Sequence, residues 1–248
     1  MSTKVIEQME TTKPGSRVIR IRHEPQRRDV AVTRIEEISP NFRSITFGGE
    51  ALASFRSEGF DDHVKLILPS VDGEVARDYT PRRFSPVSKE LTIEFALHGT
   101  GFASNWAASA RPGQRAVIAG PRGSMIVPTD YEWHLLVGDD TALPAVARRL
   151  EELQSGAVAQ VLLLTSDRAD RRRFRSKAVF NVCWVNDEQE LLNAVRSFHV
   201  PSGEGYVWCG AEAAIAAAIR EILVNEKGHD KEAIRSSAYW RRSQGGEK

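Results

Sequence analysis

The feature that most constrains this chain is a change of rhythm at Pro128. Upstream of it, short runs alternate apolar and polar residues and are separated by turn residues. Val30-Ala31-Val32-Thr33-Arg34-Ile35, Phe42-Arg43-Ser44-Ile45-Thr46-Phe47, residues 63–68 closed by Pro69, and residues 91–96 and 115–119 all read as strands. Runs this short and this closely spaced suit a small antiparallel barrel. Downstream, compact apolar runs at 133–138, 158–164, 180–185 and 206–209 alternate with helical spacing over 143–154, 188–198 and 211–224. Alternation of strand and helix builds a parallel sheet covered by helices. The expected division is a flexible arm over residues 1–26, a barrel over 27–128 and an α/β domain over 132–248.

Bulk properties exclude several classes. The 248 residues carry a net charge of +1, so no bulk field attracts nucleic acid or an anionic membrane, and any anion site must be local. Cys183 and Cys209 make neither a disulfide framework nor a metal-ligand cluster, and no protein-bound metal is expected. No apolar run is long enough to span a bilayer, and the first residues lack the apolar core of a secretory signal. A cytoplasmic monomer without membrane insertion is the expectation.

Four segments carry chemistry. In Arg77-Asp78-Tyr79-Thr80-Pro81-Arg82-Arg83-Phe84, arginine offers a planar fork of donors for phosphate oxygens, and tyrosine pairs a stacking face with a polar tip. A plain strand with a solvated basic edge is the alternative. In His98-Gly99-Thr100-Gly101-Phe102-Ala103-Ser104-Asn105-Trp106-Ala107, two glycines open a helix whose N-terminal amides suit a pyrophosphate. Here the alternative is a glycine turn with Trp106 packed into the barrel. In Gly138-Asp139-Asp140-Thr141-Ala142-Leu143-Pro144, a strand ends in glycine, Asp-Asp-Thr supplies N-cap candidates and Pro144 falls in the first helical turn. The crevice beyond such a strand end is where α/β sheets bind ligands. Residues 165–175 are rich in arginine at a point where a ribose phosphate is read, although charge runs are usually solvated.

These segments, with Gly120-Pro121-Arg122-Gly123-Ser124 and Tyr239-Trp240-Arg241-Arg242, resemble the siderophore-interacting protein family of FAD-dependent ferric-siderophore reductases. That family lies in the ferredoxin–NADP reductase-like superfamily, and the likeness spans residues 28–242. It implies an N-terminal antiparallel six-stranded FAD-binding β-barrel, followed by a C-terminal α/β nucleotide-binding domain with a parallel sheet. It further implies that FAD meets Arg77, Tyr79, Thr80, Arg82, His98, Gly99, Thr100, Gly101, Ala103, Ser104 and Trp106. Gly138, Asp140, Thr141, Pro144 and Trp240 follow as cofactor residues on the nicotinamide side. Lys65, Arg122, Arg241 and Arg242 are the cations for an anionic ferric siderophore. Electrons come from NADPH or NADH, with a slight preference for NADPH, and no acid–base catalytic residue is required. A ferredoxin-fed flavoreductase and a non-catalytic ferric-siderophore or flavin carrier are the alternatives. Ala238 and Ser243 stand where the family has glycines, Phe102 replaces a common proline, and Gly210-Ala211-Glu212 replaces Gly-Glu.

Overall fold

A computed structural model describes the backbone of residues 9–11 and, in full, residues 17–97 and 101–242. The chain divides into two compact units, Met1–Pro128 and Thr129–Lys248.

The first unit contains β1 (Met9–Thr11), β2 (Ile19–Arg22), β3 (Arg27–Ser39), β4 (Phe42–Gly48), β5 (Val64–Ser70), β6 (Gly73–Tyr79), β7 (Pro81–Ser85), β8 (Glu90–Ala96), α1 (Phe102–Ser109), β9 (Arg115–Ala119) and β10 (Gly123–Ile126). Seven strands form one antiparallel sheet in the order β6-β5-β9-β3-β4-β8-β7, a half-barrel with β6 and β7 at its edges. Strict alternation places Leu91, Ile93 and Phe95 of β8 in the core beside Ile45 and Phe47 of β4, and α1 adds Ala103 and Ala107. The sheet has seven strands where six were expected. The two edges are built partly from the Arg-Asp-Tyr-Thr-Pro-Arg-Arg-Phe segment itself. Their polar composition hides them, and charge and Pro81 are what sheet edges tolerate.

Part of the expected arm is also a strand. β2 pairs with β10, and β1 pairs with β2. A buried hydrogen-bond cluster holds this small sheet to the loop before β5. The Ser124 hydroxyl donates to Asp62 at 2.7 Å and lies 3.0 Å from His23 Nε2. The correction arises because four residues of alternating Ile and Arg carry little pattern without their partner strand.

The second unit contains β11 (Trp133–Gly138), α2 (Leu143–Glu152), β12 (Val158–Leu164), β13 (Val179–Val185), α3 (Glu188–Ser197), β14 (Gly205–Glu212), α4 (Ala213–Glu221) and β15 (Ile234–Trp240). All five strands are parallel, in the order β13-β12-β11-β14-β15. β11 and β14 are buried at every position, as central parallel strands should be. The Ala-rich helix starts two residues later than its composition suggests. β14 runs through Glu212, whose carboxylate accepts the Ala214 and Ile215 N–H groups and caps α4. β15 has no apolar run to announce it; it pairs with β14 through a bulge that leaves Tyr239 unmatched. No helix of the described residues is long and apolar enough to cross a membrane.

Candidate functional site

In the antiparallel unit, β6 ends at Tyr79 and β7 begins at Pro81, so the eight-residue segment turns sharply between two edge strands. Thr80 is buried at the turn. Tyr79 lies half-buried with its ring 4.5 Å from that of Phe95, and Phe95 lies 6.2 Å from Trp106. Trp106 in turn stacks parallel to Phe47. The tyrosine of the first motif and the tryptophan of the second therefore converge on one core phenylalanine. Burial pushes the Tyr79 hydroxyl up to about 12, against a smaller opposing pull from Arg77, so it remains a hydrogen-bond donor at any ordinary pH.

The arginines of the segment divide. Arg77 is exposed, and its guanidinium donates to the Ala76 carbonyl at 2.8 Å. Arg82 is buried at a bulge between Pro81 and Arg83, and its Nε donates to Glu94 at 3.1 Å. Arg83 is exposed. α1 opens at Gly101, where, among the described residues, an added Cβ would make only ordinary contact, with the Ser104 side chain at 3.8 Å. Ala103 and Ser104 are buried under that turn. His98, Gly99 and Thr100 lie outside the described residues. Lys65 is half-exposed and bonded to Asp78 of β6 at 2.9 and 3.1 Å, while Arg122 is exposed beside β10.

In the parallel unit the chain leaves β11 toward β12 on one side, and β14 continues to β15 on the other. The β11–β14 boundary is thus the point where strand order reverses, the usual ligand crevice of open α/β sheets. Gly138 closes β11. A Cβ there would stand 2.3 Å from Ala142 Cβ and 2.9 Å from the Gly210 carbonyl, so glycine is required for packing alone. A single 3-10 turn (Asp140–Ala142) then leads into α2, with Pro144 in its first turn. The cap of this turn is Asp139, whose Oδ1 accepts the Thr141 N–H at 2.9 Å and the Thr141 hydroxyl at 2.5 Å. Its other oxygen accepts Glu212 N–H at 3.0 Å and the Trp240 indole N–H at 2.8 Å. Asp140 faces the other way, accepting the Ser166 N–H and hydroxyl on its Oδ2; its Oδ1 is buried without a partner among the described residues.

Burial raises the Asp139 carboxyl, and the four bonds it accepts offset only part of that. Burial also works to raise Glu212, but backbone N–H groups from Ala214, Arg242, Ile215 and Ala213 prevail and hold it below the usual range. Cys209 is fully buried and its thiol is pushed up to about 12, which leaves it a packing residue. Beyond β15, Arg242 donates its backbone N–H to Glu212 at 3.4 Å, bonds Glu188 and lies over the Trp240 ring. Arg241 is exposed.

Residues 131–243 match the family model described as siderophore-interacting protein, and residues 31–77 and 72–125 match the siderophore-interacting FAD-binding domain. The chain belongs to the siderophore-interacting protein family. The NADPH-dependent ferric-chelate reductase of Escherichia coli (strain K12) is 36% identical over 244 residues, covering 89% of this chain and 95% of that protein. The ferric vibriobactin reductase of Vibrio cholerae is 29% identical, covering 84% and 87%. The crystal structure of a siderophore utilization protein from T. fusca superposes with a TM-score of 0.86 at 30% identity, covering 92% and 97%.

Two residues that hold these sites together were not singled out by the sequence. Glu94, the partner of Arg82, sits in an unremarkable strand, and only a register with a bulge brings it close. Asp139 stands in the motif after Gly138, but as an N-cap candidate no different from Asp140. The two differ only in which way the turn aims them.

Proposed function

We propose that this chain is an FAD-dependent reductase of ferric chelates of the siderophore class, with a reduced nicotinamide nucleotide as electron donor. The observation that carries the reading is the meeting of Tyr79 and Trp106 on Phe95, beside an exposed Arg77 and the glycine-led first turn of α1. An aromatic floor, a donor hydroxyl, an unburied cation and helix-terminal amides are the groups that a flavin with a pyrophosphate tail requires. Bound FAD would supply the exchange between a two-electron donor and a one-electron acceptor.

The chain's own residues bind and orient. Tyr79 and Thr80 present hydroxyls to the ring, and Arg77 neutralises phosphate charge. Gly101, Ala103 and Ser104 bring α1 close to the pyrophosphate. Gly138, Asp140, Thr141 and Pro144 shape the crevice for the nicotinamide. Lys65, Arg122, Arg241 and Arg242 attract the anionic ferric complex. No proton needs to be moved by a side chain, so no catalytic acid or base is assigned.

NADPH is preferred over NADH because Arg168 and Arg171, in the loop after β12, both donate to one group, the Asn186 side-chain Oδ1, at 3.5 and 2.9 Å. Two guanidiniums held in this way suit a ribose phosphate. In this reading the protein works as a cytoplasmic monomer. Purified protein should be yellow, its flavin should bleach anaerobically with NADPH, and the colour should return on adding a ferric chelate while an Fe(II) trap fills. A colourless, folded protein that ignores added FAD overturns the reading. Bleaching by reduced ferredoxin and not by either nucleotide replaces the donor.

A further inference from the structure

The Asp139 carboxylate binds three segments that are far apart in sequence. Through Oδ1 it holds the loop after β11, and through Oδ2 it holds the start of α4 and the last residue of β15. A helix cap would need only the first of these oxygens. The second reaches the indole N–H of Trp240, a large ring left 41% exposed at the end of the final strand. A buried acceptor fixing the polar edge of an exposed tryptophan sets the orientation of that ring.

β15 ends at Trp240, and Arg242 beyond it is also tied back. Arg242 is held by Glu212 through its backbone and by Glu188 through its guanidinium, which lies 6.0 Å from the Trp240 ring centre. The Glu188 bond is at the surface and weak by nature, and the Glu212 bond is long. The strong tether of the segment is the charge-assisted bond from Trp240 to Asp139.

We infer that Asp139 is a positioning residue: its carboxylate fixes the Trp240 ring and, through it, holds Arg241 and Arg242 as a ready-made platform for an anionic, aromatic ferric chelate. This rests on the proposed function for the identity of the ligand, but not for the tether. The same carboxylate organises the loop after β11, so the platform and that loop share one anchor. An indole face beside guanidinium groups recognises a catecholate complex by stacking and by charge.

The test uses the full FAD-loaded protein and the variants W240F, which keeps a six-membered aromatic ring but loses the indole N–H with the pyrrole part of the ring system, and D139N, which turns an NH2 group toward donors. Trypsin cleavage after Arg241 and Arg242, followed by mass spectrometry, reports how firmly the segment is held. Equilibrium dialysis with ferric 2,3-dihydroxybenzoate reports the platform. Loss of one charge-assisted bond should accelerate trimming roughly tenfold and raise the Kd of the ferric complex by a similar factor. The thermal midpoint of W240F should move by a few degrees at most, because the ring is partly exposed. Unchanged trimming in W240F overturns the tether, even if D139N fails to fold. Faster trimming with an unchanged Kd overturns the platform. If the unaltered protein does not bind the ferric complex at all, the proposed substrate falls with the platform, while the trimming result still decides the tether.

Discussion

In the antiparallel unit, Arg82 and Lys65 each find a carboxylate on the neighbouring strand, Glu94 and Asp78. In the parallel unit, Asp139, Asp140 and Glu212 stand at or just beyond strand ends and take backbone N–H groups, hydroxyls and an indole. The difference follows from topology. An antiparallel sheet puts side chains opposite one another along its length, so its charges are consumed in cross-strand pairs. A parallel sheet has a buried middle, and its polar groups collect at the carboxyl edge, where helices begin. The first unit thus pairs Arg82 and Lys65 along its own sheet while Arg77 and Arg122 stay exposed beside the motif strands, whereas the second sets Asp139, Asp140 and Glu212 at its strand ends.

The largest effect should come from breaking the buried pair. The side chains of Arg82 and Glu94 are only 8% and 9% exposed. Glu94→Leu removes the carboxylate from a buried guanidinium, and breaking a buried pair this way costs about 3–5 kcal/mol. Chemical denaturation should register it, with FAD retention falling in step. Next come two glycines, one from each unit. Gly138→Ala drives a methyl to within 2.3 Å of Ala142 Cβ, an overpacking worth about 1–3 kcal/mol, whereas Gly101→Ala makes ordinary contact with Ser104 at 3.8 Å and should cost under about 1 kcal/mol. If the Gly101 variant keeps its stability yet loses FAD affinity, close backbone approach by the cofactor is the reason for that glycine. Equal losses of stability at both positions would erase the contrast.

A smaller effect separates a buried charge from a buried neutral group. His134 lies buried in β11, and among the described residues neither ring nitrogen makes a hydrogen bond of good geometry, the Thr129 backbone offering only a weak one. Burial first, and then Arg149, push its pKa from 6.5 down to about 3, and the Thr129 backbone and Asp130 offset only part of that. Between those values the unfolded chain binds more protons than the native one, so the His134 contribution to stability declines as pH falls from about 6.5 toward 3. His134→Leu should flatten that acid decline and gain about 1 kcal/mol at neutral pH by removing an unsatisfied polar group. A variant whose stability still falls as steeply below pH 6.5 would assign the acid sensitivity elsewhere.

The same topological contrast explains what was legible in the sequence. Alternation in β4 and β8, and the apolar runs of β11 and β12, are local properties, and they announce themselves. The edge strands β6 and β7 and the final strand β15 exist because of their partners, and their own residues are too polar or too small to reveal them. Local geometry was readable where a turn fixes it, as with Gly138 at the end of β11 and Pro144 in the first turn of α2. It was not readable where a register decides the partner. The Glu94 partner of Arg82 was hidden because nothing local reveals the bulge that aims its Nε there.

The smallest stability effect should come with an informative change in binding. The side chains of Lys65 and Asp78 are 46% and 50% exposed, so their pair is worth no more than about 1 kcal/mol. Asp78→Asn should therefore leave unfolding almost unmoved while releasing the Lys65 ammonium. If Lys65 attracts the ferric complex, the carboxylate beside it competes with that complex for the same charge. The variant should then bind ferric 2,3-dihydroxybenzoate a few-fold more tightly at low salt, and Lys65→Met should bind it more weakly. Both differences should fade toward 1 M salt, where the Debye length is about 3 Å. Two variants with unchanged affinity would reduce Lys65 to a cross-strand partner, and the cations of the parallel unit would then have to account for substrate attraction alone.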